Sequence, residues 1–160
     1  HHVTGAEHNE EGKPSEAPMN RQNQMEKRMR KTESLVINNP VLLNEHEDEA
    51  DILYIGFIST KGAIGEGAER LERQGVKVNT MHIRQLHPFP KDIVQQAINK
   101  ASKVIVAEHN YQGQLSSILK MNTQVNDKLV NQTKYDGKPF LPYEIEEKGL
   151  EIVKELKELV

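Results

Sequence analysis

The chain has 160 residues, no cysteine and a formal net charge of −3 at pH 7. Without cysteine it holds no disulfide, no thiolate metal site and no iron–sulfur cluster. No apolar stretch approaches the ~18 residues that span a bilayer, and the near-neutral charge argues against a nucleic-acid partner, which requires a basic face. We therefore expect a cytoplasmic protein, without a membrane or nucleic-acid partner, that has one globular domain and a polar appendage.

The first 49 residues are polar, apart from the short runs Leu35-Val36-Ile37 and Val41-Leu42-Leu43. We interpret residues 1–49 as an arm or linker and residues 50–160 as the compact domain. A helix is predicted over residues 20–33, with Met25 and Met29 four residues apart among basic side chains. Two interpretations are open for it: a basic helix for an anionic partner, or, as the composition favours, a solvated helix that docks its two methionines on protein.

Apolar runs and helix patterns alternate from residue 52 onward. Continuous apolar runs predict buried strands, and apolar residues at three- and four-residue spacing predict helices. The predicted order is strand 52–58, helix 63–74, strand 76–84, helix 91–101, strand 103–108, helix 113–121, strand 128–134 and a terminal helix that opens at Pro142.

Three details of the helices are specific enough to test. Helix 91–101 is expected to turn Ile93 inward and to include Ala101. In the terminal helix, Gly149 is expected to interrupt a buried stripe that ends at Val160. Helix 63–74 is expected to bury Ile64, Ala68 and Leu71 and to end at Gly75 in a left-handed cap.

The alternation of strands and helices predicts a parallel sheet with helices on both faces. Ligands of such sheets bind at the carboxyl ends of the strands. The connections that begin there are residues 56–62, 86–90 and 108–114, so these three loops are where we expect a functional surface.

Residues 56–62 lead into a helix N-terminus, where backbone N–H groups and the hydroxyls of Ser59 and Thr60 are suited to an anion. The spacing of Gly56 and Gly62 is neither the Walker nor the dinucleotide-binding spacing. The favoured interpretation is therefore ordinary helix capping by Ser59 or Thr60.

Residues 108–114 concentrate polar groups at a strand end. Glu108, Asn110 and Gln114, with Gly113 between them, are suited either to contact a ligand or partner, or to cap the next helix. The sequence favours neither interpretation over the other.

The seven histidines lack the spacing of a zinc site or a catalytic triad. The acidic run 45–49 is expected to be a solvated loop and not a metal site. We therefore predict no catalytic, cofactor-binding or metal-ligating residue in the chain.

Six motifs in order resemble the C-terminal region of the alpha subunit of 2-oxoacid:ferredoxin oxidoreductases, most closely the 2-oxoglutarate type. The resemblance covers about residues 2–159. The motifs are residues 3–12 (TGxEHxExG), Arg28–Lys31, Gly56-x-x-Ser59-Thr60, Leu86-x-Pro88-Phe89-Pro90, Glu108-x-Asn110-x-x-Gly113-Gln114-Leu115, and Gly137–Phe140 with Glu144-Ile145.

The resemblance implies a transketolase C-terminal-like, Rossmann-like α/β domain: three α/β/α layers around a mostly parallel sheet with one antiparallel edge strand. It also implies a parent enzyme that oxidatively decarboxylates a 2-oxoacid to an acyl-CoA and reduces ferredoxin. That enzyme would use thiamine diphosphate, Mg²⁺ and an iron–sulfur cluster. None of the family's motifs for these cofactors has a counterpart in this chain.

The resemblance therefore implies an inactive fragment that serves as an assembly domain. Its implied partners are the upstream pyrimidine-binding domain, the beta subunit and, for the parent enzyme, ferredoxin and coenzyme A. The contact residues expected on its loops are Gly56, Ser59, Thr60, Gly62, Glu108, Asn110, Gly113 and Gln114. The alternatives are a stand-alone nucleotide- or coenzyme A-binding module and a scaffold α/β protein.

Overall fold

The computed structural model describes residues 3–45 and 48–158. Part of the acidic run 45–49, and Val160, therefore lie outside the described residues. The chain divides into two compact units, His1–Asn38 and Asn39–Val160. The second unit begins earlier than the expected boundary at residue 50, because a short strand, Val41–Asn44, belongs to its sheet.

The first unit contains helix α1 (Pro18–Glu33). The helix begins at Pro18, earlier than expected, because the fixed φ of proline suits a first helical turn. Before it, His8 and Pro14 form an antiparallel bridge, and the Asn20 side-chain amide donates a 3.1 Å hydrogen bond to the His8 carbonyl. The Glu7 carboxylate accepts hydrogen bonds from Arg28 and Arg21. Part of the predicted arm thus has hydrogen-bonded structure of its own.

The described residues of the second unit form five strands and four helices. The strands are β1 (Val41–Asn44), β2 (Ala50–Phe57), β3 (Val78–Ile83), β4 (Ala101–Glu108) and β5 (Leu129–Thr133). The helices are α2 (Lys61–Glu72), α3 (Lys91–Asn99), α4 (Gln114–Asn122) and α5 (Pro142–Glu158), with 3-10 turns at Ile58–Thr60 and Asn126–Lys128.

The strands form one sheet in the order β1-β3-β2-β4-β5. β3, β2, β4 and β5 run parallel, and β1 pairs antiparallel with β3, with Val41 opposite Ile83. This confirms the expected mostly parallel sheet with one antiparallel edge strand. The edge strand comes from the run Val41-Leu42-Leu43, which is too short to mark a strand within a polar segment.

Helices cover both faces of the sheet, which confirms the three α/β/α layers. Alternate residues of β2 point to opposite faces, as strand geometry requires: Leu53 and Ile55 pack with α3 and α4, whereas Ile52 and Tyr54 pack with α2 and α5. The predicted stripe of α2 is buried, at Ile64, Ala68 and Leu71, and Gly75 follows this helix with φ +81°.

Three predictions about the helices are wrong. Ile93 is 40% exposed, because α3 turns Val94, Ala97 and Ile98 to the sheet instead. Ala101 is the first residue of β4. Gly149 does not interrupt α5: a Cβ there would lie 2.5 Å from Leu71 Cδ1, so this glycine lets α5 approach α2 closely.

Among the described residues, no helix is long and apolar enough to cross a membrane.

Candidate functional site

The carboxyl ends of β2 and β4 flank the point where the sheet order reverses. The chain passes from β2 to β3 on one side, then returns to place β4 on the other side of β2. Such a switch point is the usual ligand crevice of an open parallel sheet. A cleft of about 310 Å³ opens here, lined by Phe57, Ile58, Ser59, Leu86, Glu108, His109, Asn110, Gln114, Leu115 and Ile118.

The Glu108 carboxylate lies at the base of this cleft and is 5% exposed. It accepts hydrogen bonds from the backbone N–H groups of Leu115 (2.7 Å) and Ser116 (3.2 Å), and from the Ser116 hydroxyl (2.8 Å). The Asn110 amide donates a fourth, at 2.7 Å. A carboxylate of this chain therefore occupies the N-terminus of α4, where the helix dipole and free N–H groups favour an anion.

Asn110 completes the cap from the other side. Its side-chain oxygen accepts hydrogen bonds from the backbone N–H groups of Gly113 (2.7 Å) and Gln114 (3.1 Å). Gly113 has φ +71°, and a Cβ there would lie 2.8 Å from Asn131 Nδ2, so both the conformation and the space favour glycine. Of the two open interpretations of residues 108–114, these contacts are those of helix capping.

The loop after β2 is also held from within. The Thr60 hydroxyl accepts a 3.1 Å hydrogen bond from the Phe57 N–H and donates a 3.3 Å one to the Phe57 carbonyl. It does not cap α2, so the predicted capping of that helix by Ser59 or Thr60 is wrong: Thr60 closes the 3-10 turn instead. A Cβ at Gly56 would collide with Thr60 Oγ1 and Ile64 Cδ1, so this glycine is needed for packing.

The eight predicted site residues therefore fall into two sets. Five of them pack or bond within the fold: Gly56, Thr60, Glu108, Asn110 and Gly113. Ser59, Gly62 and Gln114 are exposed at the surface. The loops are thus internally fixed, and only part of the predicted set is available for contact.

Three exposed apolar residues, which the sequence did not single out, lie on the same loops. Ile58 follows β2 and is 72% exposed, Tyr111 follows β4 and is 74% exposed, and Tyr135 follows β5 and is 65% exposed. The two tyrosine rings meet edge to face, with centroids 5.0 Å apart. A sequence pattern does not reveal them, because an apolar residue in a loop is common and only the structure shows its exposure.

A second cleft, of about 460 Å³, adjoins the first and shares Ser59 and His109 with it. One of its two lining cations, Lys134, bonds both Glu144 carboxylate oxygens at 2.7 Å. This hydrogen bonding raises the pKa of Lys134 and lowers the pKa of Glu144. The His109 ring contacts the Phe140 ring at a tilt of 39°, with centroids 4.8 Å apart. Lys134 is thus partnered within the domain, whereas the second lining cation, Lys138, is exposed.

The arrangement of these residues is better suited to contact with a partner than to catalysis. The Glu108 carboxylate is bound by four donors, and Lys134 is held by a carboxylate. Within residues 3–45 and 48–158, no group of three or more His, Cys, Asp or Glu side chains is placed to hold a metal ion. The surface that the carboxyl-end loops present is a fixed platform with exposed apolar side chains.

Comparisons with known proteins match this chain to one protein family. Residues 50–143 match the sequence family "Pyruvate:ferredoxin oxidoreductase core domain II". The 2-oxoacid:ferredoxin oxidoreductase subunit alpha of Saccharolobus solfataricus is 34% identical over 149 residues, which is 91% of this chain and 23% of the relative. The 2-oxoglutarate oxidoreductase subunit KorA of Mycobacterium tuberculosis is 38% identical over 97 residues, 61% of this chain and 14% of that relative.

A solved structure also matches this chain. The 2-oxoglutarate:ferredoxin oxidoreductase of Magnetococcus marinus, with 2-oxoglutarate, coenzyme A and succinyl-CoA bound, superposes with a TM-score of 0.82 at 33% identity. The match covers 96% of this chain and 27% of that one. Transketolase of Pichia stipitis shares the fold, with a TM-score of 0.54 at 14% identity over 74% of this chain and 18% of its own. This chain thus spans about a quarter of the length of the Saccharolobus solfataricus subunit and of the Magnetococcus marinus chain.

Proposed function

Since the chain belongs to the family of 2-oxoacid:ferredoxin oxidoreductase alpha subunits, we propose that it is the core domain II of such a subunit and that it serves assembly. In this role its carboxyl-end loops contact other parts of the oxidoreductase. The residues that react with substrate lie elsewhere in the enzyme.

The observation that carries this proposal is the division of the loops into an inner and an outer set. The polar groups suited to a ligand, Glu108, Asn110 and Thr60, are bonded to the protein itself. The outward-facing side chains include three large apolar ones: Ile58, Tyr111 and the neighbouring Tyr135. Exposed aromatic and aliphatic side chains on a rigid base are typical of the anchors of protein interfaces.

The backbone of Ile58 supports the same conclusion. Its φ is +55°, a left-handed conformation that is costly for a β-branched residue. The side chain gains little burial in return, since it is 72% exposed. Strain at an exposed apolar residue points to a function for its position, and contact with a partner is the function that an exposed isoleucine fits.

The family membership supports a proposal for the reaction of the parent enzyme. We propose that the enzyme to which this chain belongs decarboxylates a 2-oxoacid oxidatively, forms an acyl-CoA and reduces ferredoxin. Thiamine diphosphate with Mg²⁺ would supply the carbanion chemistry, and an iron–sulfur cluster would accept electrons. The chain has no cysteine, so a cluster with thiolate ligands takes them from other chain segments. The residues to which we assign a role contact other parts of the oxidoreductase and do not bind its cofactors.

The alternative of a stand-alone nucleotide- or coenzyme A-binding module has less support. The anion position at the start of α4 is filled by Glu108, and the hydroxyl of Thr60 is committed to the Phe57 backbone. Residues 108–114 thus lose the helix N-terminus that would bind a phosphate, and residues 56–62 lose one of their two hydroxyls.

The proposal is tested in the oxidoreductase whose alpha subunit contains this chain. The double variant Ile58→Ser with Tyr111→Ser removes two anchors, and Met121→Ser serves as a control, because Met121 is also 76% exposed but lies at the far end of α4. Assembly is measured by sedimentation velocity over a concentration series. Since loss of an interface anchor costs ~2 kcal/mol or more, we expect the double variant to assemble at least about tenfold more weakly and the control to be unchanged. Unchanged assembly of a folded double variant would overturn the proposal.

A further inference from the structure

The carboxyl-end surface carries an excess of cations, although the whole chain has a net charge of −3. We infer that this surface docks an acidic protein surface, one whose carboxylates surround an apolar patch. The inference rests on the proposed assembly function and adds the chemistry of the partner.

The charged residues considered are those in the connections that follow the four parallel strands, together with the first residue of each following helix. One carboxylate stands among them, Asp136, and it accepts a 3.0 Å hydrogen bond from the backbone N–H of Lys138. The cations of these segments are Lys61, Arg84, Lys91, Lys134 and Lys138. Lys134 is paired with Glu144. The other four are exposed and have no ion pair within 4.0 Å in the part of the chain that the structure describes.

The backbone adds to this positive potential. Each of α2, α3, α4 and α5 starts at the carboxyl end of a strand, so each helix directs the positive end of its dipole toward this surface. At α4 the dipole is met by the Glu108 carboxylate, and the first turns of α3 and α5 contain the acidic residues Asp92 and Glu144. The first turn of α2 contains no acidic residue, and its first residue is Lys61, the charge that a helix N-terminus disfavours. The fold therefore leaves positive charge there uncompensated.

The cations and the apolar anchors lie on the same set of connections at the carboxyl ends of the strands. Lys61 follows directly on the turn that carries Ile58, and Lys138 lies three residues beyond Tyr135. Arg84 begins the connection after β3 and acts electrostatically, with Lys61, on His82. An apolar centre with a charged rim is the usual anatomy of a protein interface, and rim charges choose the partner and speed its association. The partner that fits presents carboxylates to Lys61, Arg84 and Lys138.

A small phosphorylated ligand fits these contacts less well. The unpaired cations belong to three separate connections. In the second cleft Lys134 is held by Glu144, which leaves Lys138 as a lining cation without an ion pair in the described part of the chain. The anion position at the start of α4 is filled by Glu108. The free charges are thus spread over three connections.

The test compares two charge-reversal variants of the alpha subunit that contains this chain. One is Lys61→Glu with Arg84→Glu. The control is Lys77→Glu with Lys120→Glu, which changes the net charge equally at exposed cations near the opposite ends of the strands and helices. The dissociation constant of assembly is measured at about 50 and 300 mM NaCl, because salt screens exposed charges.

We expect the first variant to assemble at least tenfold more weakly at low salt and to lose most of the salt dependence, whereas the control keeps both. Equal behaviour of the two variants would overturn the inference. If Ile58→Ser with Tyr111→Ser weakens assembly but the charge reversal does not, the inference of an acidic partner is wrong, whereas the proposed assembly function is retained. Binding of coenzyme A or ATP that only the first variant loses would also overturn it, in favour of a phosphate site.

Discussion

Replacing Glu108 by glutamine changes one oxygen of a buried carboxylate into an NH₂ group. The two carboxylate oxygens accept four hydrogen bonds, from the Leu115 and Ser116 N–H groups, the Ser116 hydroxyl and the Asn110 amide, at 2.7–3.2 Å. The new NH₂ group would face donors at one of these positions. With the NH₂ group in place of Oε2, the bonds from the Leu115 N–H and the Asn110 amide are lost. With it in place of Oε1, the Ser116 N–H bond is lost, whereas the Ser116 hydroxyl can reverse and accept. At least one of the four bonds is therefore lost in either orientation, and the remaining bonds are no longer made to a charged group.

The expected cost follows from these contacts. A hydrogen bond to a charged group contributes ~1.5–3 kcal/mol, and a carboxylate at a partly buried helix N-terminus adds roughly 1 kcal/mol through the dipole. At least one lost bond and the lost charge therefore destabilise the domain by about 3 kcal/mol. That is a large share of the ~5–15 kcal/mol that stabilises a typical domain, and it lowers the Tm by about 6–12 °C at this size.

Urea unfolding of this chain, followed by circular dichroism, measures the difference. The matched control is Glu147→Gln, an exposed carboxylate of α5 without an ion pair or hydrogen bond in the described part of the chain. We expect a change below ~0.5 kcal/mol for the control. A cost below ~1 kcal/mol for Glu108→Gln would refute the reasoning, since the α4 anion position would then not depend on the internal carboxylate.

Three further predictions concern stability. Gly67→Ala destabilises the domain by ~1–3 kcal/mol, because the new Cβ would lie 2.6 Å from Ile145. Gly65→Ala stabilises it by ~0.5–1 kcal/mol, because no atom lies within 4 Å of the new Cβ. Urea unfolding measures whether each free energy of unfolding falls or rises. Hydrogen bonds from Arg28, then Arg21, hold the pKa of Glu7 at about 2, so its contribution is complete above about pH 4.5 and is lost toward pH 2; an NMR titration of its side-chain carbonyl carbon contradicts this if the midpoint lies near 4.5. Ile58→Gly relieves the strain at φ +55° and raises the free energy of unfolding by ~1 kcal/mol, yet weakens assembly of the oxidoreductase; no gain in stability would remove the strain argument.

The sequence predicted the four parallel strands and the helices between them, because their apolar runs and spacings are set by burial on both faces. The short edge strand Val41–Asn44 was not found. It has three apolar residues and one covered face, and its place depends on pairing with β3. The continuous helix across Gly149 was also missed, since the reason for that glycine is its contact with Leu71, which is distant in the sequence.

The positions of the candidate loops were predicted more reliably than the contacts that their residues make. The predicted parallel topology put the loops 56–62 and 108–114 at the same end of the sheet, the carboxyl ends of the strands, as observed. The direction in which Glu108 and Thr60 bond depends on three-dimensional geometry that spacing does not encode. The exposure of Ile58 and Tyr111 depends on it as well, so these anchors emerged from the structure alone.

Hydroxyl-radical footprinting of Tyr111 and Tyr135 tests the assembly role most directly. The two tyrosines are 74% and 65% exposed here, and Met121, at 76%, provides an internal reference away from the proposed interface. Modification rates are compared between this chain alone and the assembled oxidoreductase. Assembly through the carboxyl-end loops predicts several-fold protection of both tyrosines in the complex and no change at Met121. Equal modification of the tyrosines in both states would contradict the proposed function.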